Sequence, residues 1–130
     1  MKKIILTLML ISLADLAFTQ EIYHNQLSSA PDTSRFEIIQ SELGVKITFL
    51  IDKYSGTIYQ LVQGEKGLTW QLMAIEKHIL NKTTPGKVNY QIFTSGQGIK
   101  FTFLLNVNTG ATWKLAEDKE SGVTFWSAFD

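Results

Sequence analysis

Phe36 to Leu61 and Tyr90 to Leu115 are one segment written twice. At a fixed offset of 54 residues, FEIIQSELGVKITFLIDKYSGTIYQL matches YQIFTSGQGIKFTFLLNVNTGATWKL at 9 of 26 positions. Other pairs keep their chemistry, among them Phe36/Tyr90, Asp52/Asn106, Ser55/Thr109 and Tyr59/Trp113. A repeat that keeps aromatic, aliphatic and turn residues in step predicts two copies of one β module. It restricts the fold more than any other feature, and it names no substrate.

Each copy reads as four short strands rich in β-branched and aromatic residues, with glycine at the breaks. They fall near 35–41, 45–52, 57–63 and 68–74, then 89–94, 99–106, 111–116 and 123–129. The third turn is longer in the second copy, so the offset there is taken as 55, which pairs Gln71 with Trp126. Asp52-Lys53-Tyr54-Ser55-Gly56 and Asn106-Val107-Asn108-Thr109-Gly110 occupy the middle turn. An Asp or Asn opening a turn accepts from the N–H groups ahead of it, and glycine supplies positive φ. A metal loop on Asp52 is the rival reading, but the second copy has no carboxylate there. This hairpin resembles the blades of quinoprotein-type propellers, whose repeats carry an Asp, a Thr-Gly and a Trp. The likeness covers about ten residues per copy, and closure takes at least about four blades. No cofactor or activity is carried across.

The expected fold is all-β: about eight antiparallel strands as two pseudo-symmetric four-stranded meanders, forming a sandwich or a small barrel. The chain divides into a signal peptide (1–19), a flexible leader (20–34) and a single β domain (35–130). That domain comprises two repeats, 35–75 and 88–130, joined by a linker over 76–87. One helical turn is expected from Ala74 to Leu80. The signal reading rests on Lys2 and Lys3, an apolar run from Ile4 to Leu13, and small residues before cleavage after Thr19 or Ala14. That run is about ten residues, against roughly 20 for a bilayer span, so no transmembrane anchor is expected. An exported, periplasmic or secreted protein follows. With no cysteine there is no disulfide framework, no thiolate site and no lipid-modified cysteine. Beyond the signal, 10 basic and 11 acidic residues remain, which makes no electrostatic case for nucleic acid.

Alternation sorts the faces. The expected core is Phe36, Ile38, Val45, Ile47, Phe49, Ile51, Tyr59, Leu61, Leu68, Trp70, Leu72 and Ala74, with Tyr90, Ile92, Ile99, Phe101, Phe103, Leu105, Trp113, Leu115, Val123, Phe125, Ser127 and Phe129 as the matching set. The other face carries Lys46, Thr48, Lys100, Thr102 and Lys114, but also Ile39, Leu50, Ile58, Val62, Met73, Phe93, Leu104 and Trp126. Sheet packing, a homodimer or a protein partner could each cover that apolar set. The favoured reading is an exported binding module that recognises a protein partner through Trp126, Leu104, Phe93, Leu50 and Met73. An uncharacterised structural or oligomerising domain is one alternative. A barrel-type carrier is the other, with a small apolar ligand facing Tyr59 and Trp113. No enzyme is expected: His24 and His78 are the only histidines, no catalytic motif is present, and Glu37 has Gln91 as its counterpart. No cofactor or metal is called for. Asn81-Lys82-Thr83 fits a glycosylation sequon.

Overall fold

The computed structural model describes residues 26–27, 30–41, 47–94 and 98–129. The proposed signal peptide, His24, Val45 and Lys46 lie outside them. The fold is all-β, as expected, and no barrel closes. A two-residue strand, β1 (Gln26–Leu27), is followed by β2 (Phe36–Ser41), β3 (Thr48–Asp52), β4 (Thr57–Gly64) and β5 (Gly67–Leu72). These pair antiparallel in chain order as the N-terminal sheet. The C-terminal sheet repeats the meander with β6 (Tyr90–Thr94), β7 (Thr102–Asn106), β8 (Thr112–Glu117) and β9 (Thr124–Phe129). A 3-10 turn over Ile99–Phe101 replaces the expected start of the strand at 99.

The duplicated turns close as their sequences dictate. Asp52 Oδ1 accepts from the Tyr54 and Ser55 N–H groups at 3.0 and 3.4 Å. Asn106 Oδ1 accepts from Asn108 and Thr109 at 3.0 and 3.2 Å. Gly56 and Gly110 each sit at φ 77°, a conformation that side chains with a Cβ disfavour. Asp52 thus serves the turn. Its carboxylate is engaged by Arg35 besides, at 2.8 Å.

The expected helical turn is absent. Ile75 instead forms a parallel bridge with Trp126, and the Trp126 N–H donates to the Ala74 carbonyl at 2.9 Å. The Glu76 N–H in turn donates to the Trp126 carbonyl, so the end of β5 crosses to the second sheet and ties the two together. The end of the leader is also held, because Lys53 Nζ donates to the carbonyls of Asp32 and Pro31.

Face assignment is where the structure departs most from expectation. In the N-terminal sheet Ile39, Phe49, Ile51, Ile58 and Met73 are buried, while Phe36, Ile38, Leu68, Trp70 and Leu72 are exposed. In the C-terminal sheet Tyr90, Ile92, Leu104, Trp113, Leu115 and Trp126 are buried, and Phe101, Val123 and Phe129 are exposed. Phe103, Leu105 and Phe125 are half-buried on the outside of that sheet. The expected inward set thus holds for β3, β6 and β8 and is reversed in β2, β4, β5, β7 and β9.

The reversal has one cause. Call the face bearing Phe36, Ile38, Leu50, Tyr59 and Leu61 the front, and the face bearing Ile39, Phe49, Ile51, Ile58 and Met73 the back. The front positions of the second copy are Tyr90, Ile92, Leu104, Trp113 and Leu115. The core is therefore the back of the first sheet packed on the front of the second. Equivalent faces do not meet. The sheets stack front to back, the relation that radial repetition of one sheet imposes on neighbouring propeller blades.

Candidate functional site

Front-to-back stacking leaves the front of the N-terminal sheet with no sheet of the described residues upon it. Strand register lines up Ile38, Leu50, Tyr59 and Leu72 directly across four strands. Leu61 and Trp70 form the adjoining cross-strand pair, and Leu68 extends the surface beyond them. Directly opposed side chains in antiparallel pairs are in contact distance, so this is one surface rather than scattered residues. Ile38, Leu72 and Leu68 are 53, 62 and 70% exposed. Large contiguous apolar patches of this kind are rare on the surfaces of monomeric proteins.

The rim is polar at the turn end. Arg35 forks onto Asp52, with Nε 3.2 Å from each carboxylate oxygen and the terminal nitrogen at 2.8 Å. The guanidinium beside it holds the Asp52 carboxyl below the ordinary carboxylate range, and the turn N–H groups act in the same direction. Arg35 also lies over the rings of Phe36 and Tyr54, at 4.9 and 5.5 Å. Behind the turn, Lys53 pairs with Glu37 at 3.2 Å, its side chain only 3% exposed. This charge pair ties the middle turn to β2, and the same Lys53 ammonium holds the end of the leader.

Between the sheets the contacts are specific. Asn89 and Tyr90 both donate their N–H groups to the Lys53 carbonyl, at 2.8 and 3.0 Å. The Tyr90 ring lies where a Cβ on Gly56 would be, 2.8 Å from its nearest atoms. Phe49 meets Trp126 with ring centroids 5.6 Å apart, and Thr124 hydrogen-bonds Gln60. The linker closes the far side: the Trp113 indole donates to the Glu76 carbonyl at 2.8 Å, and the Tyr90 hydroxyl donates to Asn81. Buried Asn106 donates to Asn81 and to the Lys82 carbonyl.

The residues expected on one recognition surface are dispersed. Trp126 and Leu104 are fully buried in the inter-sheet core, and Met73 is buried with them. They cannot form an outward surface. Phe93 is exposed, but on the back of the C-terminal sheet, whereas Leu50 is half-buried on the front of the N-terminal sheet. The ligand-facing pair of the carrier reading is also separated. Tyr59 belongs to the open front, Trp113 belongs to the core, and no barrel encloses them. His78 packs edge-on against Trp113 at 5.3 Å and its Nδ1 accepts from the Leu80 N–H, so it serves a turn. No group of three or more metal-ligating side chains occurs among the described residues.

Reading the copies at an offset of 55 hid a match. The register sets Leu61 opposite Trp70 and Leu115 opposite Trp126. Trp70 and Trp126 are therefore equivalent at an offset of 56, and Gln71 is not the counterpart of Trp126. With this pairing the front of the first sheet matches the buried front of the second almost side chain for side chain. Comparison with protein-family models, curated proteins and solved structures returned no match.

Proposed function

We propose that this is an exported, non-catalytic binding module whose N-terminal sheet docks another protein through its open front. One observation carries the reading: the row Ile38–Leu50–Tyr59–Leu72, extended by Leu61, Trp70 and Leu68, is apolar across four strands and has no sheet of the described residues upon it. Burying such side chains stabilises a complex by about 25 cal/mol per Å² before association costs are met. Trp and Tyr at its centre are the residue types that dominate binding energy at interfaces. The N-terminal signal pattern supports export, and no helix among the described residues is long and apolar enough to cross a membrane.

A photo-crosslinking amino acid at Leu72, compared with one at exposed Lys119, tests the docking surface in the producing cell. Protein adducts at position 72 and none at 119 are expected. Absence of any adduct at 72 would remove the reading.

A further inference from the structure

We infer that the partner of the open front is a second copy of this chain, which presents the back of its C-terminal sheet. This rests on the reading of the front as a protein-docking surface and identifies its occupant. The internal core is a contact between two unlike faces, a back and a front, of one repeated sheet. Stacking two sheets uses one of each and leaves one of each open. The open front of the first sheet is equivalent to the front already buried in the second. The open back of the second sheet is equivalent to the back already buried in the first.

Equivalence extends to particular contacts. Phe49 of the buried back meets Trp126 of the buried front; their counterparts, Phe103 and Trp70, stand on the two open faces. Tyr90 covers Gly56; the counterparts Phe36 and Gly110 are both uncovered, with Phe36 55% exposed against 3% for Tyr90 and nothing within 4 Å of a Cβ at Gly110. The Lys53 carbonyl accepts from the Asn89 and Tyr90 N–H groups. Its counterpart, the Val107 carbonyl, would face the Arg35 and Phe36 N–H groups of the next copy. Ile39, Phe49 and Ile51 on the buried back correspond to Phe93, Phe103 and Leu105 on the open one, whereas buried Ile58 corresponds to the polar Thr112. Beyond Thr112, the copies differ at two further points. Lys114 and Leu68 cannot reproduce the Gln60–Thr124 hydrogen bond, and no linker ties one chain to the next. The contact between chains is therefore weaker than the one within.

Such a contact is heterologous, so it propagates from copy to copy until it closes. Antiparallel sheets stacked in this manner close at about four to eight. Two sheets per chain then give a ring of two, three or four chains.

Native mass spectrometry and sedimentation of the purified chain test this. The expected result is one discrete species at two, three or four times the mass of the single purified chain. Leu72→Glu on the open front and Phe93→Lys on the open back should each abolish the ring. Both sites are solvent-exposed, so melting of the resulting chain should show that it remains folded. Mixed in equal amounts, the two variants should form a one-to-one dimer, since each retains the face that the other has lost. A wild-type chain that stays monomeric at high micromolar concentration would overturn the inference. So would an assembly broken by Leu72→Glu but indifferent to Phe93→Lys, which marks a symmetric front-to-front pair. Crosslinked adducts at position 72 in multiples of the chain mass support the inference. Adducts to a different protein overturn it while leaving the docking surface standing, and no adduct at all removes both.

Discussion

The two tryptophans of the fourth strands occupy the same place in the same module and have opposite fates. Trp126, on the front of the second sheet, is sealed under the back of the first, with Phe49 against its ring. Trp70, on the front of the first sheet, has no sheet above it and is 38% exposed. The strand pairings and middle turns are alike. What differs is whether another sheet lies on top, so burial here is a property of position in the stack.

The comparison breaks most visibly by truncating the two residues. Trp126→Ala should destabilise the fold by about 3–5 kcal/mol, the range for removing a large buried aromatic. Trp70→Ala should cost about 1 kcal/mol or less when measured by urea unfolding below the assembly concentration. Equal losses would mean that the front of the first sheet is covered within the chain. Trp126→Phe should be milder than Trp126→Ala, because the Trp126 indole N–H is buried without a hydrogen-bond partner.

The glycines sharpen the same contrast at smaller amplitude. Gly56→Ala and Gly110→Ala both force a side chain into positive φ, at about 1–2 kcal/mol each. Only at Gly56 would the new Cβ also meet the Tyr90 ring, which is held by its hydroxyl to Asn81. Overpacking of that kind adds about 1–3 kcal/mol. Thermal melts below the assembly concentration should therefore rank Gly56→Ala well below Gly110→Ala, and equal midpoints there would deny the Tyr90 contact.

The smallest effect is in acid. Arg35 and the turn N–H groups lower the folded-state pKa of Asp52, so its contribution is present above the ordinary carboxylate range and is lost as pH falls below about 4. Asn106, its counterpart, cannot ionise. Asp52→Asn should keep the turn, lose a little stability at neutral pH and flatten the acid limb of the stability profile. Arg35 is half exposed, so added salt should narrow the gap between the two proteins. An unchanged acid limb would show that the ion pair contributes nothing.

Much of the fold is legible in the sequence. The alternating stretches become strands, Asp52 and Asn106 open the turns, and Gly56 and Gly110 close them with positive φ. The candidate site was far less legible. In β3, Phe49 and Ile51 alternate with Leu50, and in β7 Leu104 sits between Phe103 and Leu105. Where both alternations are apolar, a period of two cannot say which one is inside. Assuming that both copies face inward alike placed Trp126 and Leu104 on the surface and Ile38, Leu68 and Leu72 in the core. A signal for the correct arrangement existed: each copy supplies two unlike apolar faces, as a sheet stacked front to back requires.

The sequence by itself determined the module: its four strands, its turns and its duplication, because these depend on side-chain period and on residues close together in the chain. Only the tertiary structure decided which face of each copy is buried. That choice rests on contacts between distant residues, the Lys53 carbonyl with Asn89 and Tyr90, Gly56 under Tyr90, and Ile75 bridged to Trp126. No local pattern encodes them, since either face is apolar enough to be inside until the two sheets meet.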